Sequence, residues 1–412
     1  MLDCLQNRPV ALAHHWLVRI RGGEKVLESL ARLTGPAPLY TLVCDRRCLT
    51  PTLSACSIHS SWLSRLPRAR RLYPLMLPLM PRAAESMDLQ RYRVVLISDS
   101  AVIKAVRTSP SALTLCYCHS PMRYLWDQRQ EYRASLPRWQ RPLFDAFVPQ
   151  VRRRDRKAGK ALTLFVSNSH AVARRVRRAY NRRSFVVYPQ VATDAFEPST
   201  DSGEGYLVLG YLSPYKRAEV AVAACTTLGR KLLVIGEGPQ MARLRRIAGP
   251  TVTLAGYQPD AVIRRELPRC RALLFPGEED FGIVPVEAMA AGRPVIAYRA
   301  GGAADTVIDG GTGRFFDEPT PESLADAIRR FEASEESLWP AEWIVSHARR
   351  FSTACFERQM GRLIAWAVDL HARGGPEAVR AAVDQMDPDH FLDTPQRPAS
   401  DTAPATPRRL GG

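Results

Sequence analysis

Residues 275–302 read FPGEEDFGIVPVEAMAAGRPVIAYRAGG. Three consecutive acids, Glu278, Glu279 and Asp280, follow the strand-like run RALLFPG, and a fourth, Glu287, sits at the far end of an apolar stretch. The run IVPVEAMAAG has the apolar content of a buried helix that starts near Gly282. In an open parallel α/β sheet, ligands bind outside the carboxyl ends of the strands, and the acids stand at such an end. The first amides of a helix have no partner inside it, and its dipole places about +0.5 charge there. A phosphate could dock on them, while neighbouring carboxylates accept hydrogen bonds from sugar hydroxyls. A nucleotide sugar carries both groups. The competing local reading is that Glu279 and Asp280 only stabilise the helix start, by ~0.3–1 kcal/mol.

Outward from this stretch, strand-like runs alternate with helical patterns. PVALAHHW (9–16), RVVLIS (93–98), ALTLCYC (112–118) and ALTLFVSN (161–168) are apolar runs in the first half. YLVLGYL (206–212), KLLVIG (231–236), VTLAGY (252–257), ALLFPG (272–277) and PVIAYR (294–299) follow in the second. Near-continuous apolar strands separated by helices indicate parallel sheets covered on both faces. The polar stretch ATDAFEPSTDSGEG (192–205) reads as an interdomain linker. The expected fold is therefore α/β, with two doubly wound, Rossmann-like domains facing a central cleft. Their expected bounds are 1–195 and 196–345, followed by a helix over 346–373 that returns to the first domain. From 374 to 412 the chain reads as a disordered tail, poor in apolar residues.

The 412 residues carry a formal net charge of +17. Arginines cluster between Asp45 and Glu85, where no acid occurs, in RRRDRKAGK (152–160) and in RRVRRAYNRR (174–183). Such patches favour anionic partners, whether nucleic acid, lipid or phosphorylated substrate, or are simply a solvated surface. No zinc-finger spacing or RNA-recognition aromatic box accompanies them, so nucleic acid is not the expected partner. The nine cysteines are loosely spaced, and Cys116 and Cys118 alternate onto one face of a strand, which reads as reduced packing rather than a metal or redox site. No secretory signal or membrane span is visible, so a soluble or peripheral cytoplasmic protein is expected. Within SSWLSRLPRARRLYPLMLPLMPRAAESM (60–87), arginines mix with Trp62, Leu72, Leu75, Met76, Leu77 and Met80. That is the chemistry of a segment lying at a membrane surface.

The spacing Glu279-x7-Glu287, with DFGIVPVEAMAAGRPVIA between and after, resembles the E-x7-E signature of glycosyltransferase family 4, the retaining GT-B enzymes. Other segments agree in chain order: HHWLVRIRGGEKVLESLA (14–31), YCHSPMRYLWD (117–127), SNSHAVARRVRRAY (167–180), LSPYKRAEVAV (212–222), LLVIGEGP (232–239) and AGGAADTVIDGGTGRFF (300–316). The resemblance covers roughly 10–350 and is strongest to bacterial mannosyltransferases of polysaccharide assembly that use GDP-mannose.

The resemblance implies a transferase that moves a hexose from GDP-mannose to a polyprenyl-diphosphate-linked or other glycan acceptor at the inner face of the plasma membrane. It implies that Glu287 bonds the ribose, that Glu279 contacts the donor sugar, and that Phe281, Gly282 and Ile283 present amides. Lys216 matches the phosphate-binding lysine, with Arg217 as a second cation. A lysine at the leaving diphosphate would stabilise the transition state. Gly22 and Gly23 stand where backbone passes close to a ligand, or in an ordinary loop. His119, after a strand, is placed to bond a sugar hydroxyl or manage a proton, against the alternative of a structural histidine. Arg123, Tyr124, Trp126 and Asp127 line the acceptor side or pack beneath it, and His14 and His15 are open between site and core. No cofactor or metal is implied: the one D-x-D, in DPDH (387–390), lies in the tail. The chain departs from the pattern at Tyr211, where many relatives have an arginine five residues before the lysine. That departure keeps an inactive GT-B-like scaffold or an epimerase open beside the transferase, as the basic charge keeps open a nucleic-acid-binding protein.

Overall fold

A computed structural model describes residues 2–199, 203–334 and 339–386. The chain divides into two compact units. Among the described residues, one comprises the chain up to Gln190 together with 356–386; the other is Val191–Cys355.

The first unit is built on seven parallel strands: β1 (Val10–His14), β2 (Leu39–Thr41), β3 (Ile58–Ser60), β4 (Val94–Asp99), β5 (Leu113–Cys118), β6 (Leu164–Ser167) and β7 (Ser184–Val186). Their order is β3-β2-β1-β4-β5-β6-β7, so the winding reverses between β1 and β4. Every residue of β4 and β5 is buried. Period-two alternation sends Ala11, Ala13, Val95, Ile97, Cys116 and Cys118 into one core and Leu12, Leu96, Leu115 and Tyr117 into the other. All nine cysteines are free thiols.

The second core is closed by the helix Thr353–Gln385, which brings in Phe356, Met360, Leu363, Ile364, Ala367 and Val368 at helical spacing. Burying one such leucine is worth about 1.5–3 kcal/mol. The reading of 374–412 as a disordered tail is corrected for 374–386. The helix kinks at Gly374–Gly375, where Gly375 has φ +67°, and continues to Gln385. Val379 and Val383, four residues apart, are fully buried, and Arg380 donates to the carbonyls of Ala161 and Leu162. Two apolar residues on one helical face suffice to dock a turn that composition alone marks as polar. DPDH and the residues after it lie outside the described residues.

The second unit holds six parallel strands: β8 (Tyr206–Leu209), β9 (Leu232–Ile235), β10 (Val252–Gly256), β11 (Ala272–Phe275), β12 (Val295–Tyr298) and β13 (Gly313–Phe316). Their order is β10-β9-β8-β11-β12-β13, again doubly wound, with the reversal between β8 and β11. The unit begins earlier and ends later than the expected 196–345. Val191 bridges to Ser352, the buried His347 pairs with the Thr306 carbonyl at 2.7 Å, and Phe351 packs on Phe281. Local pairing, not linker composition, sets both boundaries. No helix among the described residues is long and apolar enough to cross a membrane.

Candidate functional site

In the second unit the acid-rich loop lies at the carboxyl ends of β8 and β11, where the winding reverses and open α/β sheets bind ligands. Lys216 ends the short turn Pro214–Lys216 that follows β8. Its Nζ lies 3.0 Å from Glu279 Oε1, and both side chains are about one-fifth exposed. Glycines make this approach possible. A Cβ on Gly277, just past β11, would stand 2.8 Å from Lys216 Cα. Gly301 and Gly302 leave no room for a Cβ against the backbones of Glu279 and Phe281, and the Gly302 amide donates to the Glu279 carbonyl at 2.9 Å. The RAGG that closes the opening stretch is thus the clamp on its acid loop.

Gly282, at φ +83°, caps the helix Ile283–Ala290 and offers no side chain to its first amides. Phe281 is buried. Glu287 is half-buried, four residues on from Ile283 and so on the same helical face. Local helix capping is not the role of Glu279, whose carboxylate is paired with Lys216. Arg217, at φ +49°, holds its guanidinium 5.4 Å from the centre of the Tyr298 ring. Tyr211 is 62 % exposed. A small cavity lies between Gly210, Lys216, Phe275 and Glu279. A larger, open one lies at the amino ends of β8 and β9, the edge where such sheets do not place ligands.

In the first unit a polar cluster occupies the corresponding reversal. His14 ends β1, Ser98 lies near the end of β4, and His119 follows β5. Ser98 Oγ lies 3.0 Å from His14 Nδ1 and 2.8 Å from His119 Nε2. His15 reaches the Ser98 carbonyl and Ser100 Oγ at 3.4 and 3.2 Å. Glu24, buried in the first turn of the helix Gly22–Thr34, takes the Arg21 amide at 2.9 Å and stands 3.6 Å from His14 Nε2. Burial pushes His14 and His15 down to about 3, so both are neutral at physiological pH. Burial and then the neighbouring His15 and His14 push His119 down as well, although it keeps part of its ring exposed. The ligand atoms of His14, His15 and Glu24 gather within 4.8 Å, a set that could attract a cation, but both nitrogens of His15 are already hydrogen-bonded.

Gly22 and Gly23 begin the helix beside His119, without positive φ. A Cβ on Gly23 would sit 3.5 Å from His119 Nε2, an ordinary contact. The helix start itself leaves room for a side chain at Gly23.

Of the residues read as lining the acceptor side or packing beneath it, Trp126 and Asp127 pair with residues of their own unit. Trp126 Nε1 donates to Asp155 Oδ2 at 2.9 Å, with Arg152 stacked on its ring. Asp127 pairs with the buried Arg175 at 2.7 Å. Tyr124 packs against Tyr132, and burial raises its hydroxyl pKa. Arg123 is half-buried. Asp155 belongs to a buried network in which Lys104 Nζ meets Asp99 Oδ2 at 2.6 Å and Asp155 Oδ1 at 2.7 Å. Sequence reasoning missed Glu24, Ser98 and this network. The only local signals are the acid after Gly-Gly and the polar SDS that ends the apolar β4.

Residues 194–342 match the family model described as glycosyl transferases group 1. The match lies within the second unit, which is thus similar to the group 1 glycosyl transferases. The group 1 match covers the whole Lys216–Glu279 site. An uncharacterized glycosyltransferase of Methanocaldococcus jannaschii is 28% identical over 159 residues, 37% of this chain and 45% of that protein. A GDP-mannose-dependent alpha-(1-6)-phosphatidylinositol monomannoside mannosyltransferase of Mycolicibacterium smegmatis is 31% identical over 174 residues, 34% of this chain and 44% of that one. The chain thus spans less than half the length of these curated relatives. Among solved structures, a sucrose-phosphate synthase of Thermosynechococcus elongatus matches with TM-score 0.66 at 19% identity, covering 87% of this chain and 99% of that one. Anabaena HepE in complex with UDP matches with TM-score 0.63 at 16% identity and the same coverage. These likenesses show the fold: two Rossmann-like units of the GT-B type.

Proposed function

We propose that the protein is a retaining hexosyltransferase that takes mannose from GDP-mannose and passes it to a lipid-linked diphosphate or other glycan acceptor. The observation that carries this is the Lys216–Glu279 pair at the strand reversal of the group 1 domain, beside an uncapped helix start. A diphosphate there replaces the carboxylate as partner of the Lys216 ammonium. Lys216 and the amides near Ile283 then stabilise the charge that builds on the leaving nucleoside diphosphate. Glu279, released, accepts hydrogen bonds from donor-sugar hydroxyls, and Glu287 does so from the ribose. In the first unit His119 meets a substrate hydroxyl. The donor assignment is supported by the mycobacterial mannosyltransferase above, whose printed name specifies GDP-mannose.

The acceptor assignment is supported by the basic segment 60–87. Trp62, Leu72, Leu75 and Leu79 are exposed, Leu75 by 77 %, among the exposed Arg65, Arg68, Arg71 and Arg82. Met80 is core, and Met76 and Leu77 pack against it, so the apolar surface is narrower than the sequence implies. Exposed apolar side chains ringed by arginine suit the cytoplasmic face of an anionic membrane.

A panel of nucleotide sugars, read by thermal shift and slow donor hydrolysis, tests the reading. GDP-mannose is expected to stand out; a clear preference for a UDP-sugar overturns the donor. Tyr211 favours a second reading, an inactive scaffold. Binding of the donor with no hydrolysis or transfer under any acceptor would establish it.

A further inference from the structure

We propose that Glu24, His14 and Ser98 act as a positioning relay that holds His119 in a single tautomer, Nε2 protonated and Nδ1 bare. His119 then accepts a hydrogen bond from a substrate hydroxyl and does not donate one. This rests on the reading above that His119 meets substrate.

The direction follows from counting protons. Each neutral imidazole carries one N–H, and a serine hydroxyl has one proton to give. Ser98 Oγ stands between two imidazole nitrogens, His14 Nδ1 at 3.0 Å and His119 Nε2 at 2.8 Å. One of these must therefore donate to Ser98 and the other accept from it. The far end of the chain decides which. His14 Nε2 is fully buried with no other polar partner, and it faces the Glu24 carboxylate at 3.6 Å. Glu24 accepts from the Arg21 amide through Oε2. A bare nitrogen held against that carboxylate would set lone pair against negative charge in a site buried from solvent. The Nε2 proton therefore belongs on His14, pointing to Glu24. His14 Nδ1 is then bare and takes the Ser98 proton. The Ser98 oxygen, having spent its proton, accepts from His119 Nε2–H. The outer nitrogen, His119 Nδ1, is left with its lone pair and has no hydrogen-bond partner among the described residues.

Asp99 does not compete for these protons. Its carboxylate takes the amides of Ala101 and Ile103 and the Lys104 ammonium. His15 is held separately by the Ser98 carbonyl and Ser100.

Nitrogen-15 NMR of the full chain labelled at histidine tests the relay. The two-bond couplings of each ring distinguish protonated from bare nitrogens, and His119→Asn identifies the His119 signals among the eight histidines of the chain. The expected result is protonated Nε2 and bare Nδ1 at both His14 and His119. Ser98→Ala, confirmed folded by circular dichroism, is expected to move both His119 nitrogens toward tautomer-averaged shifts, and Ser98→Thr to restore them. A protonated Nδ1 at His119 in the unaltered chain overturns the proposal, because it means the relay runs backwards from a protonated Glu24. Unchanged His119 shifts in Ser98→Ala overturn it too. The tautomer is read without donor or acceptor, so a failure of the transferase reading and a failure of the relay are separate results.

Discussion

Lys216 Nζ lies 3.0 Å from Glu279 Oε1, across the reversal point of the second sheet. The loop after β8 and the acid loop after β11 neutralise each other, so under the proposed function a donor's diphosphate exchanges for one partner. Lys216→Ala is expected to lower donor turnover about 10²–10³-fold, the range for removing one group that stabilises a developing anion. Glu279→Ala is expected to lower turnover while leaving GDP binding equal or tighter, because the competing carboxylate is gone. Stopped assays of donor hydrolysis with calorimetry of GDP check both. Equal loss of GDP binding in the two variants would contradict the exchange.

Gly302 has no room for a Cβ, because the Phe281 backbone occupies that space. Gly302→Ala is expected to push the acid loop away and cost about 1–3 kcal/mol, the usual range for overpacking. Urea unfolding and donor turnover should fall together, whereas Gly205→Ala, where a Cβ would make only ordinary contacts from 3.5 Å outward, should leave turnover unchanged.

The Asp99–Lys104–Asp155 network is fully buried. Burial works against the Asp99 carboxylate, but the charge and hydrogen bond of Lys104 outweigh it and hold its pKa below the ordinary value. Burial likewise works against the Lys104 ammonium, and Asp155 and Asp99 outweigh it in the other direction. Lys104→Met leaves two buried acids without their cation and is expected to cost about 3–5 kcal/mol, read as a lowered urea midpoint.

His14 and His15 bind protons in the unfolded chain near the ordinary histidine value of 6.5, and in the folded chain only near 3. Their folded values are depressed, so this contribution to stability is complete above pH 6.5 and is lost as pH falls toward 3. Each adds a slope of up to about 1.4 kcal/mol per pH unit inside that window. Urea midpoints are expected to be flat from pH 8 to 7 and to fall steeply from pH 6 to 4. A flat profile to pH 4 would mean that these rings are already charged in the fold.

Leu75 and Arg71 are both exposed on the segment 60–87. Arg71→Ala is expected to weaken binding to anionic vesicles about fivefold, for about 1 kcal/mol per basic residue near such a surface. Leu75→Ser removes most of a large apolar contact and is expected to weaken it about tenfold or more. Vesicle sedimentation at low and physiological salt measures both. Binding that ignores both changes would place any membrane contact elsewhere.

Most of the sheet framework was legible from single runs such as VVLISD and LTLCYC, because strands buried on both faces must be apolar throughout. β2, β3 and β7, at three residues each, and β13 in GRFF were not, because strands this short carry no period of their own. The acid loop, Lys216 and His119 were legible as motifs. The roles of Trp126 and Asp127 were not, since their partners Asp155 and Arg175 lie 29 and 48 positions away.

By itself the sequence determined two parallel α/β units, the strand end that carries the acids, and the likeness of the second unit to glycosyl transferases, because buried strands and loop motifs leave local patterns of side-chain type. Only the tertiary structure decided that Lys216 answers Glu279, that Ser98 joins two histidines, and that the helix beyond Gly374 docks on the first unit. Hydrogen bonds and ion pairs form between groups brought together by winding of the sheet, and no local pattern records which distant partner a polar side chain will meet.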